Sequence, residues 1–171
     1  MKHLIVAFVL LLVLSGCSAP VWETVNDAME DGTELVWQER AYALQIGVPD
    51  GAFLTEETEE GKLYATKDGE LEIETRLFLS SGPDHAVKEL SGFAQEDLTV
   101  LQTQRFGLPE YQFAWVSQTE MGTRLYRADL VMDGTCCYAV VCSSLEEAGE
   151  YYAFQARQVF SSFGLSEKET V

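Results

Sequence analysis

Positive charge is scarce in this chain: 11 Lys and Arg stand against 28 Asp and Glu, a formal net charge of −17 over 171 residues. The basic residues are scattered singly, which excludes the clustered phosphate contacts that nucleic-acid binding requires. The same acidity holds the protein surface off anionic lipid headgroups. Histidine is nearly absent, and beyond His3 only His85 remains. The glycines stand singly, without the Gly-x-Gly-x-x-Gly or Walker spacing that cradles phosphate, and no Gly-x-Ser-x-Gly nucleophile elbow occurs. A Ser-His-Asp relay would have to draw on His85, which falls on a short polar segment. Acidic residues are everywhere, so paired-carboxylate hydrolysis stays open as a minor alternative. The expectation is a protein that is not an enzyme and carries no cofactor and no metal.

Cysteine is also sparse, and its spacing is informative. Beyond Cys17 there are Cys136, Cys137 and Cys142, an odd number confined to one short segment. Asp133-Gly134 between two β-rich runs predicts a two-residue hairpin, with Val131 opposite Cys136, Leu130 opposite Cys137 and Leu125 opposite Cys142. No cysteine then faces another. Cys136 and Cys142 share a strand face about 20 Å apart, far beyond disulfide reach, which leaves only a rare vicinal bridge. The three read as small buried apolar residues, and the ligand spacing of a structural zinc site is missing.

Long apolar runs are missing with one exception, Leu4 to Leu14, eleven residues in length. That is short of the roughly 18 needed to span a bilayer. Lys2 precedes it and Leu14-Ser15-Gly16-Cys17 follows, the three parts of an export signal ending in a lipobox. The reading is a signal peptide over 1–16, cleavage between Gly16 and Cys17, and a diacylglyceryl group with palmitate-type acylation on Cys17. Two or three acyl chains make a stable anchor. The protein is therefore expected at the cell membrane, lipid-anchored and facing outside the cytoplasm. Ser18 is not the aspartate that retains some lipoproteins at an inner membrane, so the choice of membrane rests with the host.

The rest of the chain divides into a tether over 17–33, a single domain over 34–166 and a tail over 167–171. Tyr42 to Val48 alternates as a half-buried strand ended by Pro49. Leu63 to Thr66 and Glu70 to Leu79 flank Lys67-Asp68-Gly69 as a hairpin, with Glu70, Glu72, Glu74 and Arg76 on the solvated face. Pro83 opens a short helix to Leu90, with Gly92 as its stop. Strands follow over 98–105, 111–118, 123–132 and 135–142, joined by Gly107-Leu108-Pro109, Met121-Gly122 and Asp133-Gly134. A long closing helix starts at Ser144 with Glu147 as a capping box. It carries Tyr152, Ala156, Val159, Phe160 and Phe163 at helical spacing and ends at Gly164 as a C′ glycine. The fold class is α+β: a largely antiparallel sheet of about six or seven strands, packed by the long C-terminal helix and the short middle one.

The order of strands, early helix and closing helix with Phe160-Ser161-Ser162-Phe163 resembles a PsbP-like α+β domain, the fold of an extrinsic photosystem subunit. The mature chain also resembles small bacterial lipoproteins of unassigned function. That likeness rests on Glu23-Thr24-Val25-Asn26-Asp27, on Gly92-Phe93-Ala94-Gln95-Glu96-Asp97-Leu98, and on the Asp-Gly hairpin before Tyr138. The resemblance implies a noncatalytic domain that docks onto other proteins, so the partners expected are the membrane, through the lipid, and an envelope protein, with no nucleic acid. A hairpin face of Leu125, Arg127, Asp129, Val131, Tyr138 and Val140, with an Arg127–Asp129 charge pair, is the expected interface. The alternative is a small-ligand binding or sensing lipoprotein whose pocket is lined by Trp37, Tyr42, Trp115 and Tyr152.

Overall fold

The computed structural model describes residues 42–167. The signal peptide, Cys17, the tether, Trp37 and positions 168–171 lie outside the described residues.

Seven strands form one antiparallel sheet, and two more form a separate ribbon. In chain order they are β1 (Tyr42–Gln45), β2 (Ala52–Glu57), β3 (Gly61–Thr66) and β4 (Leu71–Leu79), then helix α1 (Pro83–Ser91), then β5 (Leu101–Arg105), β6 (Leu108–Thr119), β7 (Gly122–Asp133) and β8 (Cys136–Leu145). Helix α2 (Gly149–Ser162) and β9 (Gly164–Glu167) close the domain. The main sheet runs β2-β3-β4-β8-β7-β6-β5, and β1 pairs with β9. The expected α+β class with its antiparallel sheet and two helices is the observed one.

Alternation along the strands sorts side chains onto two faces. On one, Leu71, Ile73, Val131, Tyr138, Val140 and Cys142 are buried against Tyr152, Ala156, Val159 and Phe163, with Tyr42, Leu44 and Leu165 of the β1–β9 ribbon packed alongside. On the other, Phe78, Tyr111, Phe113, Leu130, Met132, Cys137 and Val141 pack with Ala86 and Val87 of α1. Covered on both sides, β8 is buried at every residue from Cys136 to Ser143. α1 follows its sequence signals, with Pro83 in the first turn and Gly92 capping it at φ 80° by donating to the Lys88 carbonyl.

Several expectations change. The β7–β8 turn is Gly134-Thr135, so Asp133 faces Cys136, Val131 faces Tyr138 and Arg127 faces Cys142. The slip is two residues, and because side chains alternate with period two every residue keeps its expected face. Ser144 does not cap a helix; it pairs with Leu71 and Leu125 in the sheet. α2 begins instead at Gly149, after a short 3₁₀ turn, with Ala148 as its N-cap and no side-chain cap. Gly164 is no C′ glycine, since Phe163 ends the helix in a non-helical conformation and Gly164 opens β9. The β5–β6 connection is Phe106-Gly107, both at positive φ, while Leu108 and Pro109 are already in β6. β2 and β9 have no counterpart in the sequence reading.

Candidate functional site

The hairpin face expected as an interface is mostly core. Val131, Tyr138 and Val140 are buried beneath α2 and the ribbon, and Asp129 is 1 % exposed. Leu125 is half-buried, and Arg127 alone of the six is exposed. The stripe of α2 that had to be covered covers this face, which removes it as a docking surface. The expected Arg127–Asp129 pair does not form either, because Asp129 accepts from Arg105 Nη2 at 2.9 Å.

That bond belongs to a lock between the sheet and the end of α2. Arg105 also donates through Nε to Glu110 at 2.5 Å and through Nη1 to the carbonyls of Phe160 at 3.3 Å and Phe163 at 3.1 Å. Its guanidinium lies 5.2 Å from the Phe163 ring centroid. Thr103 donates to Glu110, and Gln112 reaches Asp129 at 3.4 Å. Alternation explains the convergence: Thr103 and Arg105 on β5, Glu110 and Gln112 on β6 and Asp129 on β7 share one sheet face. The two carboxyls are pushed in opposite directions. Burial pushes Asp129 up to about 7, Arg105 opposing and the neighbouring Glu110 adding to it. Burial would raise Glu110 as well, but hydrogen bonds from Thr103, Arg105 and Asp129 hold it below the usual carboxylate range. Of the two, Asp129 is the carboxyl that burial biases toward its neutral form.

Beside the lock lies a groove of about 550 Å³, in the size range of ligand pockets. Leu98, Ala114 and Phe160 line it together with Gln112, Arg127 and Asp129. Arg105, Glu110 and Gln112 did not stand out in the sequence. The signal was there, as polar residues at inward positions of two neighbouring strands, but it becomes visible only once the register is known.

The residues expected to line a small-ligand pocket do not come together. Tyr42 and Tyr152 belong to the core under α2, whereas Trp115 packs on the opposite sheet face, stacked 5.6 Å from Phe113 and 5.0 Å from Tyr126 between ring centroids. His85 Nδ1 lies 3.2 Å from Ser80 Oγ and 4.0 Å from Glu89 Oε2. A catalytic relay needs the nucleophile and the orienting acid on different ring nitrogens; here both partners meet the same one. Ser80 is moreover buried and donates to the Gly82 carbonyl at 2.9 Å. Cys136, Cys137 and Cys142 are buried free thiols. Burial pushes Cys137 and Cys142 up to about 12, so neither supplies a thiolate. The carboxylates of β4 are taken up in ion pairs, Glu72 with the buried Arg124 at 3.3 Å and Glu74 with Arg76 at 3.6 Å.

Residues 1–18 match the family described as the prokaryotic membrane lipoprotein lipid attachment site. The match marks the chain as a membrane-anchored lipoprotein. A search of curated proteins finds no match. Among solved structures, cyanobacterial PsbP (CyanoP) of Synechocystis superposes with a TM-score of 0.52 at 11 % identity, over 72 % of this chain and 93 % of that one. LpqN of Mycobacterium tuberculosis, involved in cell envelope biogenesis, gives 0.51 at 12 % identity, over 75 % and 86 %. A Bacteroides thetaiotaomicron protein gives 0.52 at 12 % identity; 74 % of this chain aligns, spanning only 46 % of that protein. At such identities the likeness is one of fold, and the fold is the PsbP-like α+β domain.

Proposed function

We propose that this membrane-anchored lipoprotein, held by lipid on Cys17 and facing outside the cytoplasm, is a noncatalytic accessory module that docks onto a cell-envelope protein through the open edge of its sheet. The edge of β6 carries the proposal. β5 stops pairing at Leu101, opposite Gln112, while β6 runs on to Thr119. Among the described residues, 113–119 therefore face no strand on that side, although β7 pairs them on the other. Val116 and Leu101, 51 % and 56 % exposed, offer apolar side chains along this edge. A row of free backbone donors and acceptors flanked by apolar side chains is what strand addition uses: an extended partner segment supplies the missing hydrogen bonds. The positions of Ser80, His85, Glu89 and the buried thiols favour binding over catalysis. LpqN, which shares the fold, is involved in cell envelope biogenesis, and the proposal extends such a role to this chain.

A photo-crosslinking residue at Val116, in the full-length protein in its native host, should capture one envelope protein. The same residue at Phe53, on the β2 edge across the sheet, should not. Recovery of identical adducts from both positions, or none from Val116, would overturn the proposal.

A further inference from the structure

We infer that the groove between α2 and the β6–β7 floor is a binding site for a small amphiphile with one anionic head, Arg127 receiving the head and Leu98, Ala114 and Phe160 the apolar body. Arg127 is exposed on a strongly acidic protein, yet it forms no ion pair among the described residues. Its natural neighbours are otherwise engaged. Asp129, two residues along the same strand, is bound to Arg105 at 2.9 Å. Cys142, directly opposite on β8, is a thiol rather than a thiolate. Asp97 lines the groove without closing a bond to Arg127, and it adds negative charge that disfavours heads carrying more than one. On its α2 side Arg127 lines a small recess with Ala153 and Ala156, whose short side chains leave its flank clear.

A guanidinium at an apolar wall binds carboxylate and phosphate well, since its fork matches two acceptor oxygens and the wall reduces competition from water. An ammonium head would turn to Asp97 instead, so its binding separates that carboxylate from Arg127 as the head site. Gln112, whose hold on Asp129 is long at 3.4 Å, is a second donor within the groove. The site lies beside the β6 edge but does not depend on a protein docking there.

The test uses the full lipidated chain in zwitterionic nanodiscs, empty nanodiscs serving as the blank, with naphthoate, the singly charged diester naphthyl methyl phosphate and naphthylmethylammonium as probes in titration calorimetry. Saturable binding of either anion without binding of the ammonium is expected, and the stronger anion tells a free carboxylate from a lipid-like phosphate head. Arg127→Gln should weaken anion binding by about tenfold or more, the loss of a charge-assisted hydrogen bond, with Arg127→Lys partly restoring it. Ala114→Trp should abolish binding by filling the groove while leaving Arg127 in place; both positions are exposed, so the fold should survive, as unchanged thermal melts would verify. Equal binding of anion and ammonium, or Arg127→Gln binding like the native chain, would overturn the inference, as would the absence of any saturable binding.

Discussion

Arg105 aims one guanidinium at β6, at β7 and at the last turn of α2, and the two carboxyls it meets respond to pH in opposite senses. Glu110 is lowered, so its contribution is present above its unfolded value and is lost as pH falls through its folded one. Asp129 is raised to about 7, so the native state holds a proton that the unfolded chain has released. Its contribution is complete below an unfolded pKa of about 4 and is lost as pH rises through about 7. Asp129→Asn keeps a neutral side chain of the same shape but cannot titrate. Urea melts should show the native chain losing stability relative to Asp129→Asn between about pH 4 and about pH 7; a constant difference would mean Asp129 is ionised throughout. None of this lock was legible in residue types alone. Asp129 and Arg127 looked like a pair because they sit two apart on one strand, and the stronger partner, Arg105, comes from 24 residues away.

β3 and β4 approach closely at Gly61, where a Cβ would lie 1.8 Å from the Thr75 carbonyl oxygen. Gly61→Ala should force the strands apart and cost about 1–3 kcal/mol, the usual range for overpacking. Hydrogen exchange should localise that loss to β2 and β3, leaving β7 and β8 protected. Elements with local signals were the legible ones. Pro83 and Gly92 bracket α1, and strict alternation in Leu71, Ile73 and Thr75 marks β4. Where tertiary pairing decided, local reading failed: Ser144 and Glu147 form a capping pattern, yet sheet pairing with Leu71 and Leu125 holds Ser144 in β8. β2 was hidden because most of its residues are exposed, so no apolar face repeats along it. β9 was hidden because its four residues acquire strand character only from β1. The docking face was misjudged for the same reason, since a half-apolar strand face looks alike whether a partner or the chain's own helix covers it.

For the whole molecule, the fold class was legible from the sum of these elements, and the address from the first 18 residues. Cys17→Ser should abolish incorporation of an alkyne-palmitate label, and the intact mass should match an unprocessed, unlipidated chain; persistent labelling would place the lipid elsewhere. The domain over 42–167 should melt unchanged, because the core residues described there pack against one another. The ribbon bears on how such a tethered domain carries load. Tyr42 pairs with Glu167 and Gln45 with Gly164, so the chain enters and leaves at the same end of the β1–β9 pair. Tension between the membrane anchor and anything attached at the C-terminal end therefore peels the ribbon one hydrogen-bonded rung at a time from Tyr42 inward, rather than shearing all rungs together. The four paired rungs of the ribbon are thus the first described part of the domain to take such a load, ahead of the seven-stranded sheet.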